Sequence, residues 1–467
     1  MPHPDDIAFL GLTDLAELIR SRHVTSVQVT EAILNRIYSL DTRLHSYAHI
    51  SGDNALKAAA TADSELARGH YRGPLHGVPV AVKDLCYTTD APTASGGTVH
   101  AGHMSTYDAT VVTRLRDAGA VIMGKLAMTE GAFTGHHPSL PTPVNPWDED
   151  TWSGVSSSGS GVAPAAGLCF GALGTDTGGS IRLPSAANGV TGMKPTWGRV
   201  SRHGITALAA SMDHIGPMAR SAIDCAAILE VIAGQDLCDP TSSVVPVPHY
   251  VREIELRQVP RLGVDRELMS TFDDPTRTML EDVLDTVRSL GWSIVDINTP
   301  DLPAIAEQWV RMCSVETAYE HKDTFPGRES EYGPDLANLI TLGQSISGVE
   351  YQDLLEQRRA FTGRMHRLFT AIDLLLLPGT GIASPTLTQM SNLESDPSLL
   401  GALLTPTAPI DIAGLPALTM PAGFTDRGTP LGVQFVGAAF AEQVILQAGH
   451  AFQRATEFHL RHPNLAT

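Results

Sequence analysis

Two serine-bearing segments hold the residues of this sequence best suited to covalent chemistry. The first reads Gly154-Val155-Ser156-Ser157-Ser158-Gly159-Ser160-Gly161, and twenty residues on the second reads Gly174-Thr175-Asp176-Thr177-Gly178-Gly179-Ser180-Ile181-Arg182. Stretches rich in Gly and Ser are ordinarily turns or flexible linkers. That reading fits poorly here, because each segment is embedded between strongly apolar ones. Phosphate binding fits no better: G-x-x-x-x-G-K-[ST] is absent, and no G-x-G-x-x-G follows a strand with an acidic partner downstream. If Ser180 opens a helix, Gly178 and Gly179 can bring their N–H groups close to a ligand. Backbone donors at a helix N-terminus suit a developing negative oxygen, and a serine among them is placed to act as a nucleophile.

A serine nucleophile needs a base, most often histidine. The chain has 18 histidines, but no G-x-S-x-G elbow surrounds Ser156, Ser157 or Ser180, which disfavours an α/β-hydrolase. Lys83 is the better candidate, at the end of the apolar run Gly77-Val78-Pro79-Val80-Ala81-Val82. Strand alternation places it on the face of Pro79 and Ala81. A base must be neutral, whereas free lysine titrates near ~10.4, so burial would have to lower that by a few units. On its own, a lysine closing a strand is ordinarily a solvated end residue.

The elements that must position these residues alternate. Residues 10–60 read as helical, with Thr25 and Gln28 forming a capping-box pattern ahead of Val29, Ala32, Ile33, Ile37 and Leu40 on one face. The run before Lys83 is a short strand, and Ala109–Lys125 reads as helix, glycine turn, strand. A Pro-rich loop (Pro138–Trp152) follows. An Ala-rich helix near Gly161–Gly167 and a buried strand over Cys169–Asp176 come next. This pattern predicts an α/β fold with a mixed or parallel central sheet. Residues 241–370 are more charged and more helical, with an amphipathic stretch at Thr276–Leu290. Strand texture returns from Ala371, including Ile372–Gly379, a buried strand far too short to cross a bilayer. Length alone suggests two or three domains. The texture suggests instead a single domain over 1–467: a discontinuous α/β core (60–240 and 371–460) carrying a variable, mainly helical insertion (241–370).

Composition narrows the function. A net charge of −19 with no basic run argues against nucleic acid or an anionic membrane as partner. The five cysteines, Cys86, Cys169, Cys225, Cys238 and Cys313, are odd in number and scattered, so buried inert thiols in a reducing cytoplasm are expected. The N-terminal MPHPDDIAFL lacks the basic and apolar regions of a signal peptide. Closely spaced histidines (His100 and His103, His136 and His137, His459 and His462) fit no metal-ligand motif. They read as loop or surface residues, and neither metal nor cofactor is expected.

The segments HGVPVAVKD, GVSSSGSG and GTDTGGSIRLPSAANGVTGMKPTWGRVS strongly resemble the amidase signature family. The resemblance continues through His214–Asp236, Gly414–Gly423 and Pro430–Gly437, covers most of the chain and is weak only across about 241–370. It implies the amidase signature fold, a mixed central sheet with helices on both faces. It also implies a Ser–cis-Ser–Lys triad of Ser180 (nucleophile), Ser156 (bridging serine, 24 positions earlier) and Lys83 (base). The implied oxyanion hole falls on the N–H groups of Thr177, Gly178, Gly179 and Ser180. Asp176, Arg182 and Ser157 would support the site, Arg182 either by orienting it or by tying down the loop. The family's Gly-Gly-Ser-Ser-Gly-Gly is here Gly154-Val155-Ser156-Ser157-Ser158-Gly159, so a β-branched residue precedes the cis bond. The implied activity is hydrolysis of a C–N bond in a small amide or anilide, in the EC 3.5.1 class. Carbamates (urethanes) and esters are reachable by the same acyl transfer. The competing reading is the glutaminase component of a tRNA-dependent amidotransferase, but nothing in 241–370 or at the C-terminus demands a large partner. A monomer or homodimer is expected. Met128, Phe133, Trp152 and Leu208 lie near the motifs and are candidate apolar pocket walls.

Overall fold

The computed structural model describes residues 7–465, so the first six residues of the stretch read for a leader lie outside it. Eleven strands form one sheet: β1 (Tyr47–Ile50), β2 (Pro79–Lys83), β3 (Val121–Leu126), β4 (Gly171–Asp176), β5 (Thr191–Lys194), β6 (His214–Ala219), β7 (Arg261–Val264), β8 (Ser293–Asp296), β9 (Leu374–Pro378), β10 (Ala417–Phe424) and β11 (Pro430–Gly437). Their order is β1-β3-β2-β4-β6-β5-β10-β11-β9-β7-β8. Pairing is parallel through β3-β2-β4 and through β9-β7-β8, and antiparallel from β4 to β9. The sheet is therefore mixed, and helices flank it. Apolar runs such as PVAVK and LLLLP are buried along their whole length, as expected of strands covered on both faces.

Local signals explain many of the element boundaries. The helix Ser26–Leu44 begins at a capping box in which the Thr25 side chain accepts from the Gln28 N–H and the Gln28 side chain accepts from the Thr25 N–H. Its Val29, Ile33, Ile37 and Leu40 are buried. The amphipathic stretch near 276–290 is the helix Asp274–Ser289, capped by the Asp273 carboxylate. The helix expected near 161–167 starts earlier, at Ser158, so the serine segment leads directly into it.

One expectation needs correcting, and the helical segment carries more than helices. Residues 10–60 are not wholly helical: β1 interrupts them as an edge strand paired antiparallel with β3. The segment 241–370 carries the long helices Leu302–Glu320 and Gly348–Leu368. It also donates β7 and β8, which extend the sheet beyond β9. All three overlooked strands are four residues long, too short for a period-two pattern to accumulate. Among the described residues, no helix is long and apolar enough to cross a membrane.

Candidate active site

The two serine segments and Lys83 meet at the ends of β2 and β4. Because β2 is covered on both faces, Lys83 is fully buried, not the solvated end residue that its position alone suggests. Its Nζ lies among three hydroxyls: Ser156 Oγ at 2.8 Å, Ser157 Oγ at 2.9 Å and Thr175 Oγ1 at 2.8 Å. Among the described residues no carboxylate lies within ion-pair distance of it. Burial without a counter-ion pushes the Lys83 amine down to about 7, because desolvation disfavours its charged form.

The hydroxyls around Lys83 are not equivalent. Ser157 donates to the Thr175 carbonyl at 3.1 Å and accepts from the Thr175 N–H at 3.2 Å, so its proton is committed to the backbone. Ser156 follows a cis Val155–Ser156 peptide, and the backbone on either side of it is tied down. The Thr129 N–H donates to the Ser156 carbonyl at 3.2 Å, and the Ser157 N–H to the Ser180 carbonyl at 3.3 Å. Ser180 itself is half-buried, and its hydroxyl has no hydrogen-bond partner among the described residues.

The loop between β4 and the helix Arg182–Asn188 is organised by Asp176. Its carboxylate accepts from the N–H groups of Gly179 (2.6 Å), Ile181 (3.0 Å) and Arg182 (3.3 Å). Ser180 thus stands two residues ahead of the helix, not at its first residue. Gly179, where the resemblance implied an oxyanion donor, has its N–H already donated to Asp176, while those of Gly178 and Ser180 have no protein acceptor among the described residues. Arg182 ties the loop down. Its guanidinium binds Asp176, Asp411 on the helix Ala408–Ile412, the Thr407 carbonyl and Gln434 on β11. Burial opposes the charge on Asp176, but Arg182 overcomes it and holds that carboxyl well below the usual range. Burial pushes Asp411 up.

Sequence reasoning missed several of these contacts. Thr175 lies inside the quoted motif, one residue from Asp176, and could have been read there. Trp309 could not, because it lies on the helix Leu302–Glu320 in the segment of weakest resemblance. Its Nε1–H donates to the Thr177 carbonyl at 2.7 Å. Its ring covers Gly178 so closely that a Cβ there would lie 2.5 Å from Cζ2. Thr177 Oγ1 donates to Asp213 at 2.6 Å, and Thr407 Oγ1 to the Gly178 carbonyl at 2.7 Å. The carbonyls of Thr177 and Gly178 are thereby each fixed by a side-chain donor.

The four candidate pocket residues separate. Phe133 stacks with Trp309, ring centroids 6.5 Å apart. Leu208 lines a cavity of about 230 Å³ that reaches Thr175. Trp152 packs with Leu183, Leu399 and Leu403 in a small cluster that Val155 joins. Met128 is buried in the main core. His136 lies in a loop and is half-buried: its Nε2 lies 3.0 Å from Ser158 Oγ, and burial pushes it down to about 4. Of the five cysteines, Cys238 is exposed and the other four are buried.

Known proteins match this chain over nearly all of its length. The amidase family model matches residues 28–446. A Mycobacterium tuberculosis protein called AmiD, assigned by name to the amidases, is 55% identical over 98% of this chain and 97% of its own. A glutamyl-tRNA(Gln) amidotransferase subunit of Moorella thermoacetica is 36% identical over 98% of this chain and 99% of its own. The peptide amidase of Stenotrophomonas maltophilia superposes with a TM-score of 0.83 at 30% identity, covering 98% of this chain and 99% of that one. Matched over nearly its whole length in sequence and in fold, the chain belongs to the amidase family of hydrolases acting on carbon–nitrogen bonds.

Proposed function

We propose that this chain is a free-standing hydrolase of small, non-peptide amides and anilides, working through an acyl-enzyme on Ser180 with Ser156 and Lys83 as proton relay. The observation that carries the reading is Lys83, an amine buried among hydroxyls with no counter-ion. With burial pushing the amine down to about 7, a substantial share of it is the free base at neutral pH. The committed proton of Ser157 leaves Ser156 as the serine that can donate to it. Lys83 takes the Ser156 proton, Ser156 takes that of Ser180, and Ser180 Oγ attacks the carbonyl carbon. The N–H groups of Gly178 and Ser180 receive the oxyanion. The proton returns through Ser156 to the leaving nitrogen, which cannot depart well as an anion, and water then releases the acid. Carbamates and esters enter the same sequence, since only the acyl or leaving group changes.

The greater identity to a protein named as an amidase than to the amidotransferase components supports a hydrolase working alone. The test is fluorophosphonate labelling with peptide mapping, followed by turnover of anilides, primary amides, carbamates, esters and glutamine. Label is expected on Ser180. Its rate should fall about 10²–10⁴-fold in Lys83→Ala and Ser156→Ala but far less in Ser157→Ala. Label on another residue, or undiminished labelling without Lys83, would sink the mechanism. Turnover of glutamine alone, dependent on added partner proteins, would favour the amidotransferase reading.

A further inference from the structure

The cavity that reaches Thr175 is built for more than packing. Part of its wall is apolar, with Leu85, Leu208 and Ile215 buried and Ile205 half-buried. Arg202 also lines it, its guanidinium over the Trp197 ring at 4.8 Å. Arg202 Nη2 donates to Thr241 Oγ1 at 2.6 Å. Its Nε and Nη1, though buried, have no acceptor among the described residues. Buried donors of this kind are rare and call for a partner. The two carboxylates in the wall do not supply one. Asp213 accepts from Thr177 Oγ1 and the N–H groups of Leu208 and Ala209. Asp239 accepts from the Arg202 and Thr241 N–H groups and from Thr241 Oγ1.

We infer that this cavity is a substrate subsite for an apolar, aryl-sized arm bearing a neutral hydrogen-bond acceptor at its far end, which Arg202 receives. The inference rests on the hydrolase reading and adds to it the class of substrate. The size fits: an apolar cavity of about 150 Å³ already holds a benzene ring, and this one has about 230 Å³. The location fits, because Thr175 lines it and touches Lys83 through Oγ1. A neutral acceptor fits better than an anion, because Asp213 and Asp239 would repel a carboxylate. The arm belongs either to the acyl group or to the leaving amine, and the two are separable by experiment.

The test compares acetamide, 3-phenylpropanamide and its para-acetyl and para-carboxylate derivatives with N-phenethylacetamide and its two corresponding derivatives. kcat/KM is measured on wild type, Arg202→Met and Ala207→Phe, normalised by fluorophosphonate titration so that only folded, competent enzyme is counted. Ala207 is half-exposed in the cavity wall, and a phenyl side chain there fills the space. In one series, the aryl arm is expected to raise wild-type kcat/KM at least about tenfold over acetamide. The para-acetyl group should add about tenfold more. Ala207→Phe should erase the aryl preference. Arg202→Met should erase only the para-acetyl increment. The responding series identifies the side of the bond. Aryl preference unmoved by Ala207→Phe, equal effects of Arg202→Met with and without the acetyl group, or a preference for the carboxylate would overturn the inference. If wild type turns over none of these compounds, acetamide included, the hydrolase reading fails and the subsite falls with it.

Discussion

A lysine works as a base near neutral pH only where its surroundings make the ammonium costly. Lys83 meets that condition by burial, with hydroxyl partners in place of carboxylates. Burial pushes its amine down to about 7, and the sign of the pH dependence follows. Below that value Lys83 is protonated and cannot accept from Ser156, so kcat/KM should fall about tenfold per pH unit. Above it the free base dominates and the profile should flatten. Lys83→Arg should be inactive throughout, since a guanidinium stays charged. Profiles from pH 5 to 9, on an amide and on the labelling rate, check this. A flat profile through pH 7, or an active Lys83→Arg, would rule Lys83 out as the base. Ser180, Ser156 and Lys83 could be proposed from sequence because they lie in long contiguous motifs. The distinct part of Ser157 could not, since it depends on which neighbour receives a hydroxyl proton, and only coordinates show that.

Among the elements, the helix Leu302–Glu320 shows why the site was only partly readable. Trp309, Glu316 and Thr317 lie on one helical face, spaced seven and eight residues apart. Trp309 holds the Thr177 carbonyl, Glu316 accepts from the Ser211 N–H and hydroxyl, and Thr317 donates to the Leu208 carbonyl. One helix of the variable segment therefore braces both the nucleophile loop and a wall of the cavity. In the sequence it is only part of a helical stretch, because the partners lie more than a hundred residues away. Trp309→Phe removes the brace: the Nε1–H is lost and a shorter aromatic ring is left beside Gly178. The Thr177 carbonyl would lose its indole donor, costing about 1–3 kcal/mol of stability. The Thr177–Gly178 peptide would be freer to turn, so kcat should fall about tenfold with KM changed less than about threefold, because the Gly178 N–H matters most in the transition state. Steady-state kinetics with a thermal melt separate the effects. A rise in KM at constant kcat would mean that Trp309 only lines the pocket.

At the scale of the whole molecule, length suggested several domains while texture suggested one interrupted core. The sheet runs without a break from β1 to β8, and its last two strands come from the segment that reads as an insertion. One buried cluster joins Val82 of β2 and Leu173 of β4 to Leu262 of β7, Trp292 and Trp309. A segment packed this way cannot unfold on its own without baring the β9 edge and the apolar face beneath it, which is what couples the parts of a single cooperative unit. Unfolding in urea should therefore be one transition. Tryptophan fluorescence, which samples Trp292 and Trp309 in the segment and Trp147, Trp152 and Trp197 outside it, should give the same midpoint as far-UV circular dichroism. Activity should vanish within the same transition. A fluorescence change completed before the loss of helical signal, with a core that still takes the fluorophosphonate label, would show that 241–370 is a separate folding unit. The bracing of the nucleophile loop by Trp309 would then be dispensable.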